Sequence, residues 1–504
     1  MLLAASGLKV TVYEKDDRIG GRTSRVSMGE YHFDRGPTFF LAPYLLEEVF
    51  AAAGRRLGDY VELTRLDPMY RLVVGQEGAK AITLDCTQDL EEMARRIGKI
   101  EPRDAQAFLE VMRENRGKLA AFEPILRSPF RSPLDLVRTK FLPALKYLGP
   151  TMSVHDYLSR KLTHPVSKLA LSFQSKYLGM SPLKCPSLFS ILPFIEYEFG
   201  VWHPTGGCNA VMDGMAKVCA ELGVEFETGA SVERVVFDGK KARGVVVDGQ
   251  ERLHKHVVLN ADASWALKNL IPSSVRPGAY QDATLDKKKY SCSTFMLYLG
   301  LDRPCEELAH HTIYVSERYQ QNLADIERGG ISHDPSVYVH NPVKLDPSLA
   351  PGGHSSLYVL VPTSNCQTKM DWKVAAPKVR EQALARIGQL AGFDVARHIR
   401  AEKQITPDDW RASNINFGAT FNLAHNLTQM LHLRPQHRVP GMEGVWLAGG
   451  GTHPGSGLPV IWLSSQITSR LLCEELGMKY AGDRVARVPV ETAAARQAEM
   501  LVTA

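Results

Sequence analysis

The chain runs to 504 residues with 44% hydrophobic and 23% charged content, an ordinary globular balance with room for two or three domains. Its net charge of +5 is mild, and its eight cysteines show neither a CxxC pair nor a His/Cys zinc spacing. A disulfide scaffold is therefore excluded, no metal site is expected, and a reduced cytoplasmic setting is the simplest reading. No apolar run approaches the roughly 20 residues that cross a bilayer, which excludes a helical integral membrane protein. No signal peptide is visible.

The first residues already form a pattern. Leu2, Leu3 and Leu8, with Ala4 and Ala5, read as the packed face of a helix that Gly7 stops. Lys9-Val10-Thr11-Val12-Tyr13 then reads as a strand ending on the carboxylate of Glu14. Helix, strand and acid are half of a dinucleotide-binding unit. In the whole unit a first strand enters a GxGxxG turn, the turn sets a pyrophosphate on a helix N-terminus, and the acid takes the ribose. The first strand and its GxGxxG are missing here, and in-frame sequence upstream of Met1 is expected to encode them. Many buried strands end on a glutamate, so Glu14 alone decides nothing. Gly20-Gly21-Arg22 follows at once, pairing a backbone that phosphates can approach with a guanidinium fork that can bind them.

Further along, short strands alternate with turns to about residue 80, giving a first part of the unit over 1–80. A Pro-broken helical insertion covers 81–200. Within it, residues 124–184 carry ten basic side chains against Asp135 and Asp156, a local charge of +8. Bulky apolar residues such as Phe130, Leu134, Val137, Phe141, Leu142 and Leu145 are interleaved with them. That mixture suits an anionic membrane surface, or else an ordinary helical domain with a solvated basic face. No nucleic-acid motif accompanies it, so nucleic acid is not an expected partner. The unit resumes over 201–288 with a Gly-Gly turn, an amphipathic helix and a hairpin near Asp238-Gly239. Residues 289–436 alternate strands around one long helix near 372–391 and read as a mixed sheet that can wall a cavity. A strand, a glycine-rich turn and a helix close the unit over 437–480. The polar, Ala-rich 481–504 read as a disordered tail.

Gly449-Gly450-Gly451 lies between an apolar strand and a helix beginning near Leu458, where free N–H groups and a positive dipole end can face an anion or an electron-rich ring. With Glu14 it describes a discontinuous flavin domain. His453 can touch a flavin or simply orient its turn, and His203 reads as structural. Ser456, Ser464 and Ser465 lack a triad. Trp446 and Trp462 are candidates for an aromatic cage around a flavin, the mark of amine oxidation, or else are core.

The stretches VTVYEKDDRIGGRTS, HFDRGPT, WHPTGGCNAVMDGMAKVCAELGVEF, NFGATFNLAHNLTQMLHLRPQHR and VWLAGGGTHPGSGLPVIW resemble the motifs of bacterial carotenoid desaturases, the phytoene and diapophytoene desaturase family, over nearly the whole chain. The resemblance implies an α/β fold: a discontinuous Rossmann-like FAD domain, a mixed-sheet substrate domain and a membrane-associated helical insertion. It implies that Glu14 meets the adenosine ribose, Gly20, Gly21 and Arg22 line the pyrophosphate, and the backbone at Val232 meets the adenine. Gly450, Gly451, Gly457, Leu458, Pro459 and Val460 pass beside the flavin ring. The implied reaction is FAD-dependent desaturation of a linear C30 or C40 polyene, with quinone or oxygen as electron acceptor and the enzyme peripheral on the inner face of the cell membrane. No general base is identified. A redox-neutral polyene isomerase, a flavin amine oxidase-like enzyme, and a non-catalytic membrane partner that has lost FAD stay open as alternatives.

Overall fold

The computed structural model describes residues 1–130, 132–147, 149 and 151–486. Arg131 of the basic stretch and residues 487–504 of the expected tail lie outside the described residues.

At the N-terminus the helix Leu2–Ala5 ends before Gly7, whose φ of 94° is a left-handed conformation that a side chain would resist. Leu2 is buried, and Leu3 and Leu8 pack on Trp446, Ile467 and Leu471, so this short helix is held by the chain's last long one, Leu458–Glu475. The strand Thr11–Glu14 runs parallel to Glu225–Thr228, with Thr11 opposite Glu225 and Glu14 opposite Thr228. A second parallel pair joins Val257–Leu259 to Val445–Leu447. Arg438 bridges Trp446 on the outer side of that pair, which leaves Val257–Leu259 at its inner edge. Among the described residues, neither Thr11–Glu14 nor Val257–Leu259 has a partner on its second side. Exposure agrees: all four residues of Thr11–Glu14 are only half-buried and Val258 is 36% exposed, whereas parallel strands are ordinarily covered on both faces.

The helix Cys208–Glu221 starts at Gly207 with no cap of its own. Asp34, from the HFDRGPT stretch, supplies one from across the fold: its carboxylate accepts from Cys208 N at 3.0 Å and Asn209 N at 2.8 Å. A Cβ at Gly207 would lie 2.8 Å from Asp34 Oδ1, so the glycine is required there.

The larger sheet has seven strands in the order Ile399–Ile405, Ser293–Leu301, Ser355–Thr363, Val337–His340, His311–Val315, Tyr70–Gln76 and Ala79–Cys86. It is mixed, because Tyr70–Gln76 pairs in parallel with His311–Val315 while its other neighbours pair antiparallel. Alternation along Ser293–Leu301 explains its placement: Phe295, Leu297, Leu299 and Leu301 pack against the helix Trp372–Ala391, while Met296 and Tyr298 face the first domain beside Phe33 and Tyr31.

Three sequence boundaries move. Residues 70–86, expected to split at 80 between the dinucleotide unit and the helical insertion, form a hairpin of the large sheet, since their edge matches that of 312–315. Val201–Pro204 pairs with Phe40–Leu41 and Leu63–Arg65 and joins neither parallel pair. The start of the expected tail is ordered: Ala481–Arg484 form a 3-10 turn with Ala481 buried. Helices of the insertion begin with Leu90–Gly98 and Pro102–Leu126. No helix among the described residues is long and apolar enough to cross a membrane.

Candidate functional site

The glycine turn between Val445–Leu447 and Leu458–Glu475 is shaped by backbone conformations that side chains resist. Gly449 and Gly457 have φ of 102° and 108°. Gly457 begins the helix without a side-chain cap, so the N–H groups of Leu458 and Val460 stay available, and Pro459 has none to leave over. Gly450 is closed in from one side: a Cβ there would lie 2.7 Å from Asn422 Nδ2 and 3.3 Å from Ser456. Gly451 is closed in from behind, where a Cβ would meet the Ala263 Cβ at 2.6 Å.

Arg22 reaches this turn from the other end of the chain. Its Nη2 donates to Asn422 Oδ1 at 3.3 Å across 400 residues of sequence. Burial lowers the guanidinium's pKa and the charge of Asp262 opposes the shift, yet Arg22 makes no ion pair with a carboxylate among the described residues. Gly20 and Gly21, at φ of 105° and 54°, turn the chain into it. The structure thus brings Gly20, Gly21 and Arg22 to Gly450 through Asn422. Glu14 stands at the carboxyl end of its strand, where its Oε1 accepts from Asp16 N at 3.0 Å. Its carbonyl receives Ala230 N at 2.9 Å, two residues before Val232, which packs with Tyr13 on the core of the second parallel pair. Glu14 and Val232 form one group at the sheet end, and Gly450, Gly451, Gly457, Leu458, Pro459 and Val460 form another. A buried cationic fork, close glycines and an uncapped helix N-terminus are the donor set that a flavin dinucleotide requires, so the residues fit FAD.

Three residues of this site escaped the sequence reading. Arg434 is buried without a carboxylate and donates to Gly450 O at 2.7 Å, Thr452 O at 3.0 Å and Leu423 O at 3.2 Å, pinning the glycine turn. Burial pulls its pKa down to about 9, which still leaves it charged at neutral pH. His425 Nε2 accepts from Ser456 N at 3.1 Å. Asp262 caps the helix Ala263–Leu270 through Trp265 N at 2.9 Å and faces Arg22. His425 and Arg434 lie inside the quoted stretch NFGATFNLAHNLTQMLHLRPQHR, but the partner of a single side chain cannot be read from spacing. The tryptophans resolve differently. Trp446 is core, packed on Ile467 and Leu471, and Trp462 is buried in the main hydrophobic cluster. His453 is a packed turn histidine, edge-on to Phe130 at 5.3 Å, and burial pushes its pKa down to about 4.

Between the two sheets lies an aromatic interior. Phe39 stacks on His311 at 4.1 Å and stands 5.4 Å from Tyr177 and 5.6 Å from Tyr338. Burial drives the phenols of Tyr177 and Tyr338 well above their ordinary pKa, yet both keep accessible surface, as does Phe39. Tyr298 and Tyr358 tie the large sheet to the first domain by donating to Arg35 O at 2.6 Å and Gly36 O at 2.7 Å.

The profile of flavin-containing amine oxidoreductases matches residues 1–472. A 4,4'-diapophytoene desaturase (4,4'-diapolycopene-forming) of Methylomonas sp is 37% identical over 487 residues, covering 95% of this chain and 93% of the relative. An all-trans-zeta-carotene desaturase of Myxococcus xanthus is 39% identical over 484 residues, covering 94% of this chain and 90% of the relative. Among solved structures, cyclohexylamine oxidase from Brevibacterium oxydans IH-35A matches with a TM-score of 0.59 at 14% identity, covering 94% of this chain and 96% of that one, a likeness of fold alone. The chain belongs to the flavin-containing amine oxidoreductase family, among its FAD-dependent carotenoid desaturases.

Proposed function

We propose that this protein introduces conjugated double bonds into a linear C30 or C40 isoprenoid drawn from a membrane. The observation that carries the reading is the aromatic cluster of Phe39, Tyr177 and Tyr338, whose half-buried rings offer an apolar substrate an aromatic surface. FAD, when bound, supplies the two-electron oxidation. Glu14 would hold the ribose, Gly20, Gly21 and Arg22 the pyrophosphate, the backbone at Val232 the adenine, and the turn 450–460 the ring. The work of the chain's own residues is to orient the polyene and to keep water out. The two parallel pairs make one Rossmann-like sheet, in which a further strand belongs between Thr11–Glu14 and Val257–Leu259.

The membrane contact is the lobe 132–147. Leu134 is 76% and Val137 71% exposed, and Leu142 and Leu145 are half exposed. Beneath them Phe130 and Phe141 are buried, and Phe130 touches His453 of the glycine turn, so the lobe adjoins the proposed flavin site. The charge of this region is smaller than the sequence suggests. Arg127 is buried in a bidentate pair with Glu48, Lys161 pairs with Glu114, and Lys184 pairs with Glu327. Apolar side chains lead the docking, and Lys146 with its neighbours adds attraction to anionic lipid. The protein then sits peripherally on the inner face of the membrane, handing electrons to a quinone or to oxygen.

The test is conversion. Protein supplied with FAD, a quinone or air, and liposomes holding a colourless C30 or C40 polyene should move absorption to longer wavelength in discrete stages, each stage removing two hydrogens. A product of unchanged mass and altered geometry would make the protein an isomerase, and turnover of a primary amine alone would discard the reading.

A further inference from the structure

Three histidines that sequence spacing keeps far apart meet at the junction of two sheets. His203 lies on Val201–Pro204, His310 immediately precedes His311–Val315, and His340 ends Val337–His340. All three are buried, and one ring nitrogen from each lies within 4.8 Å of the others. His310 Nε2 stands 3.1 Å from His340 Nε2, and Asp346 Oδ2 stands 3.5 Å from His203 Nε2. Ligand atoms at about 2.0–2.1 Å from a tetrahedral ion are separated by about 3.3 Å, so both spacings already suit the edges of such a polyhedron.

The hydrogen bonding of the cluster is incomplete. Among the described residues, His203 Nε2 and His310 Nδ1 have no hydrogen-bond partner, although both rings are more than nine-tenths buried. Buried polar atoms are ordinarily satisfied, and two orphaned ring nitrogens within one histidine cluster ask for an explanation such as an ion at His203 Nε2.

We propose that His203, His310 and His340 bind one divalent ion of zinc type. Three imidazoles fill three positions of a tetrahedral ion, and Asp346 stands beside them, 3.5 Å from His203 Nε2. The ion would fasten the small sheet carrying Val201–Pro204 to the large substrate sheet, beside the Gly206–Gly207 turn whose Gly206 N donates to Asp346 Oδ2 at 2.6 Å.

Metal content of the purified full chain, followed by titration of the chelator-treated protein with Co2+, tests this. About one ion per chain and the visible bands of tetrahedral Co2+ are expected, both lost in His310→Gln and His340→Gln and kept in His333→Gln, whose ring is exposed. Should a histidine variant fail to fold, His203→Gln and the wild-type Co2+ spectrum decide. A wild-type protein that carries no metal and develops no Co2+ bands overturns the proposal, as do variants that keep both.

Discussion

At the residue scale, buried charge marks the working parts. Arg434 spends its guanidinium on backbone carbonyls and fixes the glycine turn, whereas Arg22 keeps its fork turned toward that turn with one neutral partner, Asn422. The first is scaffolding, and the second is the fork proposed to take the pyrophosphate. Gly451 needs care as a probe: any side chain there strikes Ala263, so loss of activity would report packing rather than contact with a flavin. Glu196 gives a cleaner test. It is fully buried, accepts from Tyr70 OH and Gln174 Nε2 at 3.0 Å each, and is pushed up to about 7 by burial, against the pull of these hydrogen bonds and of Tyr177. A carboxyl raised in the folded state favours folding fully below its ordinary value and loses that contribution as pH rises through the folded value. The stability of the wild type relative to Glu196→Gln should therefore fall between about pH 4.5 and about pH 7 and level off above. Urea midpoints of both proteins at several pH values measure it, and a difference independent of pH would refute the assignment.

Elements show where pattern reading stops. The periodicity at 372–391 was legible, because a helix declares itself within its own sequence, and Trp372–Ala391 forms there. The hairpin 70–86 was not assigned to the large sheet, because its neighbour 312–315 lies more than two hundred residues away and edge pairing leaves no local mark. The charge of the basic stretch is not legible for a related reason: spacing does not show that Arg127 goes inside to Glu48. The lobe 132–147 presents exposed apolar side chains beside exposed basic ones. Replacing Leu134, Val137, Leu142 and Leu145 together by Ser should release the protein from anionic liposomes. Thermal stability should change little, since side chains this exposed contribute little to the fold. Sedimentation with liposomes and a melting curve check the two halves. Undiminished pelleting would mean that the lobe is a solvated face.

For the whole molecule, each of two parallel strand pairs has one edge without a partner among the described residues. A strand set between them would give the order 225–228, 11–14, inserted strand, 257–259, 445–447, which is that of a doubly wound dinucleotide fold. Supplying an N-terminal apolar strand with a GxGxxG turn should cover Val258 and the half-buried Thr11–Glu14, and it should add backbone donors to the pyrophosphate. Charged-group hydrogen bonds contribute about 1.5–3 kcal/mol each, so two would tighten FAD by orders of magnitude. Flavin fluorescence titration of the 504-residue chain against the extended one checks this, and equal affinity would sink it.

The sequence alone determined the local facts. Strand, acid, paired glycine, arginine and the closing glycine turn are legible because each is a property of a few consecutive residues and of the backbone conformations they permit. The same reading located the reaction class, since the glycine-bearing motifs resemble one family throughout the chain. Only the tertiary structure decided which of these parts meet: Arg22 with Asn422, Asp34 with the helix at Cys208, and His203 with His310 and His340. Those encounters arise from sheet pairing and helix packing between segments 30 to 400 residues apart, and chain-local periodicity carries no information about them.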